Sequence, residues 1–212
     1  IFSRGIQPHV YAIVESNRLD SSSVDYFTNN DPKLEKDFGT LVDELRDAKE
    51  YGSILNVSQV DFASLYARVE EVRADISMFR EIVLNSILPL IQVAEVMAQK
   101  YDVVVTNPPY MGNGGMGQKL SNYVKVAYPN SKSDLSTVFM EHTLKMCKRN
   151  GYMSMINIPV WMFLSSYEKL REDLLRNTTL RNMLHLGRGV FGSDFGTTAY
   201  VSSRSFTPNH RA

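Results

Sequence analysis

Hydrophobic and polar positions along the chain change their spacing near residue 100. Before that point, apolar residues recur every three or four positions, which is typical of amphipathic helices. After it, short apolar runs alternate with helical stretches, which favours strands joined by helices. We predict a leading strand and linker at residues 1–19, with the strand in PHVYAIVE, a helical subdomain at 20–100, and an α/β portion at 101–212.

The helical subdomain is predicted to contain three helices. The first has Asp31 as its N-cap, Pro32 at the first helical position and Gly52 just past its end. The others are predicted at about residues 60–84 and 87–100. Two stripes of apolar side chains result, formed by Leu34, Phe38, Leu41, Val42 and Leu45, and by Leu65, Val69, Val72, Ile76, Phe79 and Val83. We expect these stripes to pack within the protein.

The second part is predicted to be an α/β sheet. Its strands are YDVVVT at 101–106, YMSMINIPV at 152–160, TLRNMLHLG at 179–187 and TTAYVSSRSF at 197–206. Helices are predicted in SKSDLSTVFMEHTLKMCKRNG, which Gly151 would end, and in SSYEKLREDLLRN, where Ser165 and Glu168 have capping-box spacing. This alternation indicates a doubly wound, Rossmann-like α/β sheet with flanking helices.

The composition is that of a globular protein, with 43% hydrophobic and 22% charged residues in a chain of 212. Lys plus Arg and Asp plus Glu both number 23, so no overall positive field attracts nucleic acid or a membrane surface. The longest apolar run, near residues 87–96, is interrupted by polar residues and is shorter than the roughly 20 residues of a membrane span. The single cysteine, Cys147, is expected to be buried as a packing residue. With no disulfide possible within the chain, the protein is expected to be cytoplasmic, and no membrane partner is expected.

Metal binding is not predicted. His9, His142, His185 and His210 have no ligand-like spacing to one another or to Cys147. His142 is placed on a helix and His185 on a strand, and both are interpreted as structural residues.

The stretch YDVVVTNPPYMGNGGMGQ ends a predicted strand abruptly with two prolines, an aromatic residue and four glycines. Pro108 and Pro109 each fix φ near −65° and lack a backbone donor. Asn107 offers an amide oxygen, the Pro108 carbonyl offers a second acceptor, and Tyr110 offers an aromatic face. In an open α/β sheet, such a loop lies at the crevice outside the carboxyl ends of the strands.

Two acceptors beside an aromatic face suit a planar group that carries an exocyclic amine. Acceptors that hold both hydrogens out of the ring plane make the nitrogen more tetrahedral, so its lone pair can attack an electrophilic methyl group. Catalysis would then consist of positioning and electrostatic stabilisation. A base within a duplex would have to be flipped out, and Tyr110 would replace its lost stacking partner.

The NPPY motif after a hydrophobic strand resembles the catalytic motif of amino-methyltransferases that use S-adenosylmethionine. Together with YPNSKSDLSTVF, WMFLSSYEKLRE and HLGRGVFGSDFGTTAY, it resembles the adenine-specific DNA methyltransferases of BREX-type phage-resistance systems. These are akin to the methylase subunits of type IIS restriction enzymes. The resemblance spans roughly residues 1–205. It implies that Asn107, Pro108 and Tyr110 bind the target adenine, with Pro109 completing the catalytic motif.

The resemblance also implies further contacts and partners. Asp134 is expected on the cofactor side of the cleft, and either Phe191 or Phe195 is expected to stack on the opposite face of the flipped base. The implied cofactor is S-adenosylmethionine. The implied partners are double-stranded DNA, bound by the full-length protein, and other subunits of a defence system.

One part of the family pattern is missing. Such methyltransferases hold the cofactor's methionine and ribose through a glycine-rich loop and a following acidic residue, and neither precedes Asn107. The resemblance places that cofactor-binding half upstream of Ile1 and the DNA-reading domain downstream of Ala212. We therefore expect an internal fragment that binds S-adenosylmethionine weakly or not at all and is inactive alone.

Several alternative interpretations stay open. Gly112, Gly114 and Gly117 spell the G-x-G-x-x-G pattern of dinucleotide-binding proteins, but two prolines and an aromatic residue separate them from the strand. We interpret this loop as a mobile flap beside the target base. The same acceptor geometry also fits a protein glutamine or an RNA base as the methyl acceptor. In a third interpretation, residues 31–100 bind a partner without catalysis.

Overall fold

The computed structural model describes residue 5 and residues 7–190 and 196–207. The chain divides into two compact units, Ile1–Gln99 and Lys100–Ala212. The described part of the first unit is helical, and the second unit contains a four-stranded sheet with flanking helices. The predicted α/β fold class with an N-terminal helical region is therefore confirmed.

The first unit contains six α-helical segments among its described residues. They are α1 (Ser21–Thr28), α2 (Pro32–Glu44), α3 (Ala48–Tyr51), α4 (Phe62–Ala74), α5 (Arg80–Ile82) and α6 (Leu88–Ala98), with a 3₁₀ turn at Gly52–Ile54 and a π-helical turn at Val83–Ile87. Asp31 caps α2 as predicted, because its carboxylate accepts the N–H groups of Lys33 at 2.8 Å and Leu34 at 3.3 Å.

The apolar stripe of α2 is buried as predicted. Phe38, Leu41 and Leu45 have no exposed surface. Helix α2 contacts α1 and α4, and the ring of Phe38 lies 4.8 Å from the ring of Phe27 in α1. Phe38, Leu41 and Leu45 are thus covered within the first unit, whereas Val42 of the same stripe is half-buried.

The predicted helix at residues 60–84 is interrupted between α4 and α5. The Asp75 carboxylate accepts the N–H of Ile76 at 2.8 Å, and the Ser77 hydroxyl accepts the N–H of Phe79 at 3.2 Å. Local bonds of this kind compete with helical hydrogen bonds. Ile76, which was predicted to belong to a buried stripe, is fully exposed in this break.

From α5 the helix continues through the π turn to the end of α6. The Leu88 N–H bonds to the Val83 carbonyl across the π turn, and Pro89 follows in the first turn of α6. The run Arg80–Ala98 has 19 residues and a mean hydropathy of 1.5, so it is long and apolar enough to span a membrane by length and composition. It begins upstream of the apolar run recognised in the sequence. Core helices of soluble proteins pass the same test, so this is weak evidence for a membrane span.

The leading strand predicted at residues 8–15 is absent, since these residues have no regular secondary structure. The described part of the first unit contains no strand with which the segment could pair. β-type residues form a strand only beside a neighbour that completes their hydrogen bonds and packing. This prediction was wrong.

A four-stranded sheet in the order β1-β2-β4-β3 forms the second unit. Its strands are β1 (Tyr101–Thr106), β2 (Cys147–Asn157), β3 (Thr179–Gly187) and β4 (Thr197–Ser203). β1 and β2 are parallel, whereas β4 is antiparallel to both β2 and β3. The doubly wound pattern did not predict the reversed direction of β4. The short connection from β3 to β4 explains it, because a parallel pair needs a long crossover.

The helices of the second unit are α7 (Gln118–Ala127), α8 (Leu135–Met146), α9 (Val160–Phe163) and α10 (Glu168–Asn177), with 3₁₀ turns at Asn113–Gly115 and Ser165–Tyr167. The core joins the sheet to α8 and α10 through Met140, Cys147, Met153, Met155, Tyr167, Leu170, Leu174 and Tyr200. Burial raises the pKa of the Cys147 thiol, which favours a packing role for this side chain. α10 begins without a side-chain cap, so the capping box predicted at Ser165 was wrong.

Gly151 lies within β2 and does not end a helix, because α8 already ends at Met146. Asn150 has a left-handed φ of 65° and bends the strand just before Gly151. A Cβ atom at Gly151 would lie 2.9 Å from the Asp102 carbonyl oxygen and 3.1 Å from that of Tyr101. A close approach of β1 and β2 at this irregular point therefore explains the glycine.

We predict that Gly151→Ala destabilises the protein by about 1–3 kcal/mol, because the new methyl group meets backbone atoms that cannot move aside. Urea unfolding followed by circular dichroism measures the effect. Gly39→Ala is the matched control, since no heavy atom lies within 4 Å of a Cβ at this position in α2. It should stabilise by about 0.5–1 kcal/mol. Equal unfolding midpoints for the two variants would show that the close approach has no energetic weight.

Candidate active site

The NPPY motif lies where β1 leaves the sheet. β1 ends at Thr106, which pairs with Met155, and β2 ends shortly beyond it at Asn157. β1 and β2 are parallel, and β3 runs in the same direction because both β2 and β3 are antiparallel to β4. The carboxyl ends of β1, β2 and β3 therefore share one edge, and the motif stands at that edge.

Asn107 is exposed, and its side chain makes no hydrogen bond with the part of the chain that the structure describes. Pro108, the next residue, is buried, whereas Pro109 is exposed. The corner is thus anchored by Pro108 while the carboxamide of Asn107 stays accessible to a ligand. An Asn107 side chain turned inward and engaged by its own fold would have contradicted the predicted role.

Tyr110 is half-buried beside the end of β2. Its hydroxyl donates a long hydrogen bond of 3.4 Å to the main-chain oxygen of Ile156. Burial raises the pKa of the Tyr110 phenol above its ordinary value, because the charged form would lose solvation there. The ring is therefore connected to the sheet through its hydroxyl, and it belongs to the same corner as Asn107.

The glycine-rich loop after the motif is attached to the start of α8. The Leu135 N–H donates to the Met111 oxygen at 2.8 Å, and the Asn113 N–H donates to the Ser133 oxygen at 3.2 Å. Gly112 forms a β-bridge with Asp134 between these two bonds. The loop predicted to be a flap is therefore tied to the protein at its beginning.

Asp134 is nearly buried, with 8% exposure, and it is the N-cap of α8. Its Oδ1 accepts the backbone N–H of Ser136 at 2.8 Å and the Ser136 hydroxyl at 2.6 Å. These bonds give Asp134 a structural function at the helix N-terminus, where a negative charge is favourable. Its predicted contact with the cofactor stays a prediction.

A buried polar pair at the same edge was missed by sequence reasoning. Asn157, the last residue of β2, has no exposed surface, and its Oδ1 accepts the hydroxyl of Thr198 at 2.9 Å. Its Nδ2 donates to the Met140 sulfur at 2.9 Å. The only signal in the sequence is a polar residue at the end of the apolar run MSMI, just before Ile158 and Pro159.

His142 and His185, the histidines of the second unit that the structure describes, lie in separate surroundings. His142 is buried, and its Nδ1 lies 2.8 Å from the Tyr128 hydroxyl. His185 is exposed near the end of β3, where its Nδ1 accepts the Gly187 N–H at 3.2 Å. Across the described residues, no group of three or more His, Cys, Asp or Glu side chains could hold a metal ion.

The predicted stacking residues, Phe191 and Phe195, lie outside the described residues. β3 ends at Gly187 and β4 begins at Thr197, so their connection starts and finishes at the same sheet edge as NPPY. The choice between the two phenylalanines stays a prediction.

Trp161 borders an apolar cavity of about 250 Å³ between the sheet and α10. Its ring lies 6.1 Å from that of Tyr200, and it packs against the core of this unit. The cavity is lined by Met140, Met153, Trp161, Met162, Arg171, Leu174, Leu175, Thr178, Leu180, Met183, Tyr200 and Ser202. No residue of NPPY lines it, so this cavity is separate from the candidate active site.

Sequence comparison identifies the protein class. The family described as the Eco57I restriction-modification methylase matches residues 19–191, and the chain therefore belongs to this family. The adenine-specific methyltransferase BrxX of Escherichia coli O9:H4 (strain HS) is 42% identical over 168 residues, which cover 77% of this chain and 14% of BrxX. The adenine-specific methyltransferase PglX of Lacticaseibacillus casei (strain Zhang) is 45% identical over 116 residues, covering 53% and 10%, respectively.

A third relative is the type II methyltransferase M.VspI of Vibrio sp. (strain 343), which is 34% identical over 79 residues covering 37% of this chain and 19% of that protein. The matches to BrxX and PglX confirm the resemblance to BREX-type adenine methyltransferases. The chain spans only a small part of the length of each of these relatives.

We predict that Asp134→Ala lowers the free energy of unfolding by about 1 kcal/mol, because α8 loses its N-cap. Asp134→Asn should stay close to the original stability, since Asn caps a helix as well as Asp does. Thermal unfolding of both variants measures the difference. Equal losses in the two variants would show that the charge of Asp134, rather than its capping hydrogen bonds, supports this helix.

Proposed function

We propose that this chain forms the target-base side of the active site in an adenine-N6 DNA methyltransferase that uses S-adenosylmethionine. The single observation that carries the proposal is the pairing of two features at one sheet edge. The Asn107 side chain is exposed and makes no hydrogen bond with the described residues. Tyr110, three residues further along the chain, is half-buried. An unengaged amide next to an oriented ring suits a flipped base.

The chemistry of the corner depends on two oxygen acceptors. The Oδ1 of Asn107 and the carbonyl oxygen of Pro108 would each accept one hydrogen of the adenine amino group. Holding both hydrogens concentrates the nitrogen lone pair for attack, and the two oxygen dipoles stabilise the positive charge that develops on the nitrogen. The nitrogen then loses its extra proton to water. No strongly basic side chain is required.

S-adenosylmethionine, when bound, supplies a methyl group attached to a positively charged sulfur, and the carbon–sulfur bonding electrons stay on the sulfur after transfer. Asp134 is the one residue expected on that side, and its Oδ1 is already engaged by Ser136. We therefore expect the main cofactor-binding half to come from the rest of a longer protein. The 14% share of BrxX that this chain matches supports this expectation.

Double-stranded DNA is the proposed substrate, and restriction-modification or phage defence in the cytoplasm is the proposed setting. The support is the family assignment together with the names of BrxX and PglX as adenine-specific methyltransferases. The chain carries no net charge, so we expect attraction to DNA phosphates to come from local groups and from other parts of the full-length protein.

Methylation of an RNA base or a protein glutamine is the alternative that the same acceptor geometry allows. Parallel assays of the full-length protein with duplex DNA, RNA and a glutamine peptide distinguish them. We expect methyl transfer to adenine in duplex DNA. Transfer to RNA or peptide with none to DNA would contradict the proposal.

We predict that Asn107→Ala in the full-length protein lowers adenine methylation by about 100- to 1,000-fold, because one acceptor of the developing charge is lost. Its folding should be unchanged, since the Asn107 side chain is exposed and makes no hydrogen bond in the described part of the chain. Methyl transfer to duplex DNA is measured beside a thermal unfolding curve. Asn182→Ala is the control, because Asn182 is an exposed asparagine in the middle of β3. Undiminished methylation by Asn107→Ala would remove the central assignment.

We predict that Tyr110→Ala weakens binding of the flipped base by about 1–3 kcal/mol, and that Tyr110→Phe, which keeps the ring but loses its bond to Ile156, weakens it by a smaller amount. The phenylalanine variant keeps the ring and loses only the hydroxyl that reaches Ile156. Titration of the full-length protein with DNA that carries a fluorescent adenine analogue at the target position measures the difference. Equal losses in both variants would assign the contribution of Tyr110 to its hydroxyl rather than to its ring.

A further inference from the structure

One buried carboxamide connects three elements of the second unit. Asn157 stands at the end of β2, and its Oδ1 accepts the hydroxyl of Thr198 in β4 at 2.9 Å. The same hydroxyl lies 3.2 Å from the main-chain oxygen of Asn157. The Nδ2 of Asn157 donates to the sulfur of Met140 in α8 at 2.9 Å. Asn157, Thr198 and Met140 all have no exposed surface.

The position of this carboxamide matters because a strand is weakest at its end. After Asn157 the chain leaves the sheet through Ile158 and Pro159, so no further ladder bonds hold β2 in place. The carbonyl of Ile156, one residue earlier, is the acceptor of the Tyr110 hydroxyl. A shift of the strand end would therefore move the acceptor that orients the Tyr110 ring.

The contact with Met140 reaches the other support of the motif. Met140 belongs to α8, and the start of α8 holds the loop after NPPY through the Leu135–Met111 and Asn113–Ser133 backbone bonds. The motif is thus supported from two sides, by the end of β2 and by the start of α8. Asn157 is the last residue of β2, and its side chain contacts Met140 in the same helix α8.

Stability alone does not require a polar pair at this place. Burying an amide and a hydroxyl costs free energy unless they are paired, and replacing both partners by apolar groups of the same shape is often nearly neutral. Hydrogen bonds differ from apolar contacts in being directional, so the pair specifies one register between the ends of β2 and β4.

We propose that Asn157 is a positioning residue of the methyl-transfer site. Its carboxamide, paired with Thr198, holds the carboxyl end of β2 so that the Ile156 carbonyl keeps the Tyr110 ring in the orientation that stacks on the target base. This inference rests on the proposed function and adds to it a buried pair behind the residues that contact the substrate.

The neighbouring residue of Thr198 provides a matched control. Thr197 also has no exposed surface, and its hydroxyl has no hydrogen-bond partner among the described residues. Thr197→Val and Thr198→Val therefore make the same chemical change at adjacent buried positions of one strand. Only Thr198→Val removes the partner of Asn157. Thr198→Ser keeps the hydroxyl and tests rescue.

The experiment compares these three variants in the full-length protein with its DNA substrate. Thr198→Val should lower kcat by about 10- to 100-fold, because a displacement of roughly 1 Å at a reacting group has that effect. KM for DNA should stay nearly constant, since phosphate contacts supply most of the affinity. Thr198→Ser should restore most of kcat, and Thr197→Val should match the original protein.

A second measurement follows the base itself. DNA with 2-aminopurine at the target position brightens when the base leaves the stack and dims again when it stacks on an aromatic ring. We expect Thr198→Val to leave the flipped base brighter than in the original protein, with Thr198→Ser and Thr197→Val unchanged. A merely structural role for Asn157 would not produce this selective change.

Three results would overturn the inference. One is a Thr198→Val variant with unchanged kcat and fluorescence. Another is equal loss of activity in the two valine variants, which would point to packing. The third is loss of kcat in Thr198→Ser as large as in Thr198→Val. Failure of the proposed function is a separate outcome, because the original protein would then not methylate adenine in DNA.

Discussion

Two consecutive prolines deprive the chain of two backbone donors at the point where β1 leaves the sheet. The chain cannot continue the ladder with β2, and the residue before the first proline is kept out of helical geometry. Because Pro108 is buried, the corner is anchored, and because Asn107 is exposed, its carboxamide is left for something outside the fold. The proposed chemistry needs little more than this constraint, since it uses acceptors in fixed positions rather than a group with an unusual proton affinity.

The elements around the corner support the motif from several sides. Tyr110 reaches the end of β2, the loop from Met111 to Asn113 is joined to the start of α8, and Asn157 touches β4 and α8 from the end of β2. The side chains of Asn107 and Tyr110, which would meet the substrate, are exposed and half-buried, respectively, whereas Asn157 and Thr198 behind them are fully buried and paired. Buried, hydrogen-bonded residues of this kind hold the residues of the site in position, while the surface of the site stays accessible.

The sequence predicted those features that are determined by residues close together in the chain. Asp31 and Pro32 mark the start of α2, and the Val-rich run before NPPY marks β1, because capping and strand signals act over a few residues. Features that depend on distant partners were missed. The proposed role of Asn157 depends on its hydrogen bond with Thr198, which is 41 residues away. No residue pattern near either position predicts this contact. The segment at residues 8–15 has strand-like composition but has no neighbouring strand among the described residues of its unit, and no element was predicted for the residues of α7.

The place of β4 has a consequence for how the second unit assembles. β4 comes last in the sequence among the described strands, yet it lies between β2 and β3. Until its residues leave the ribosome, β2 and β3 have no common neighbour, and the sheet remains in two separate pieces. Closure therefore waits for contacts of high sequence separation, which form slowly and expose unpaired edges in the meantime. Unpaired strand edges can pair with other chains, so β2 and β3 are prone to misassociation until β4 is synthesised.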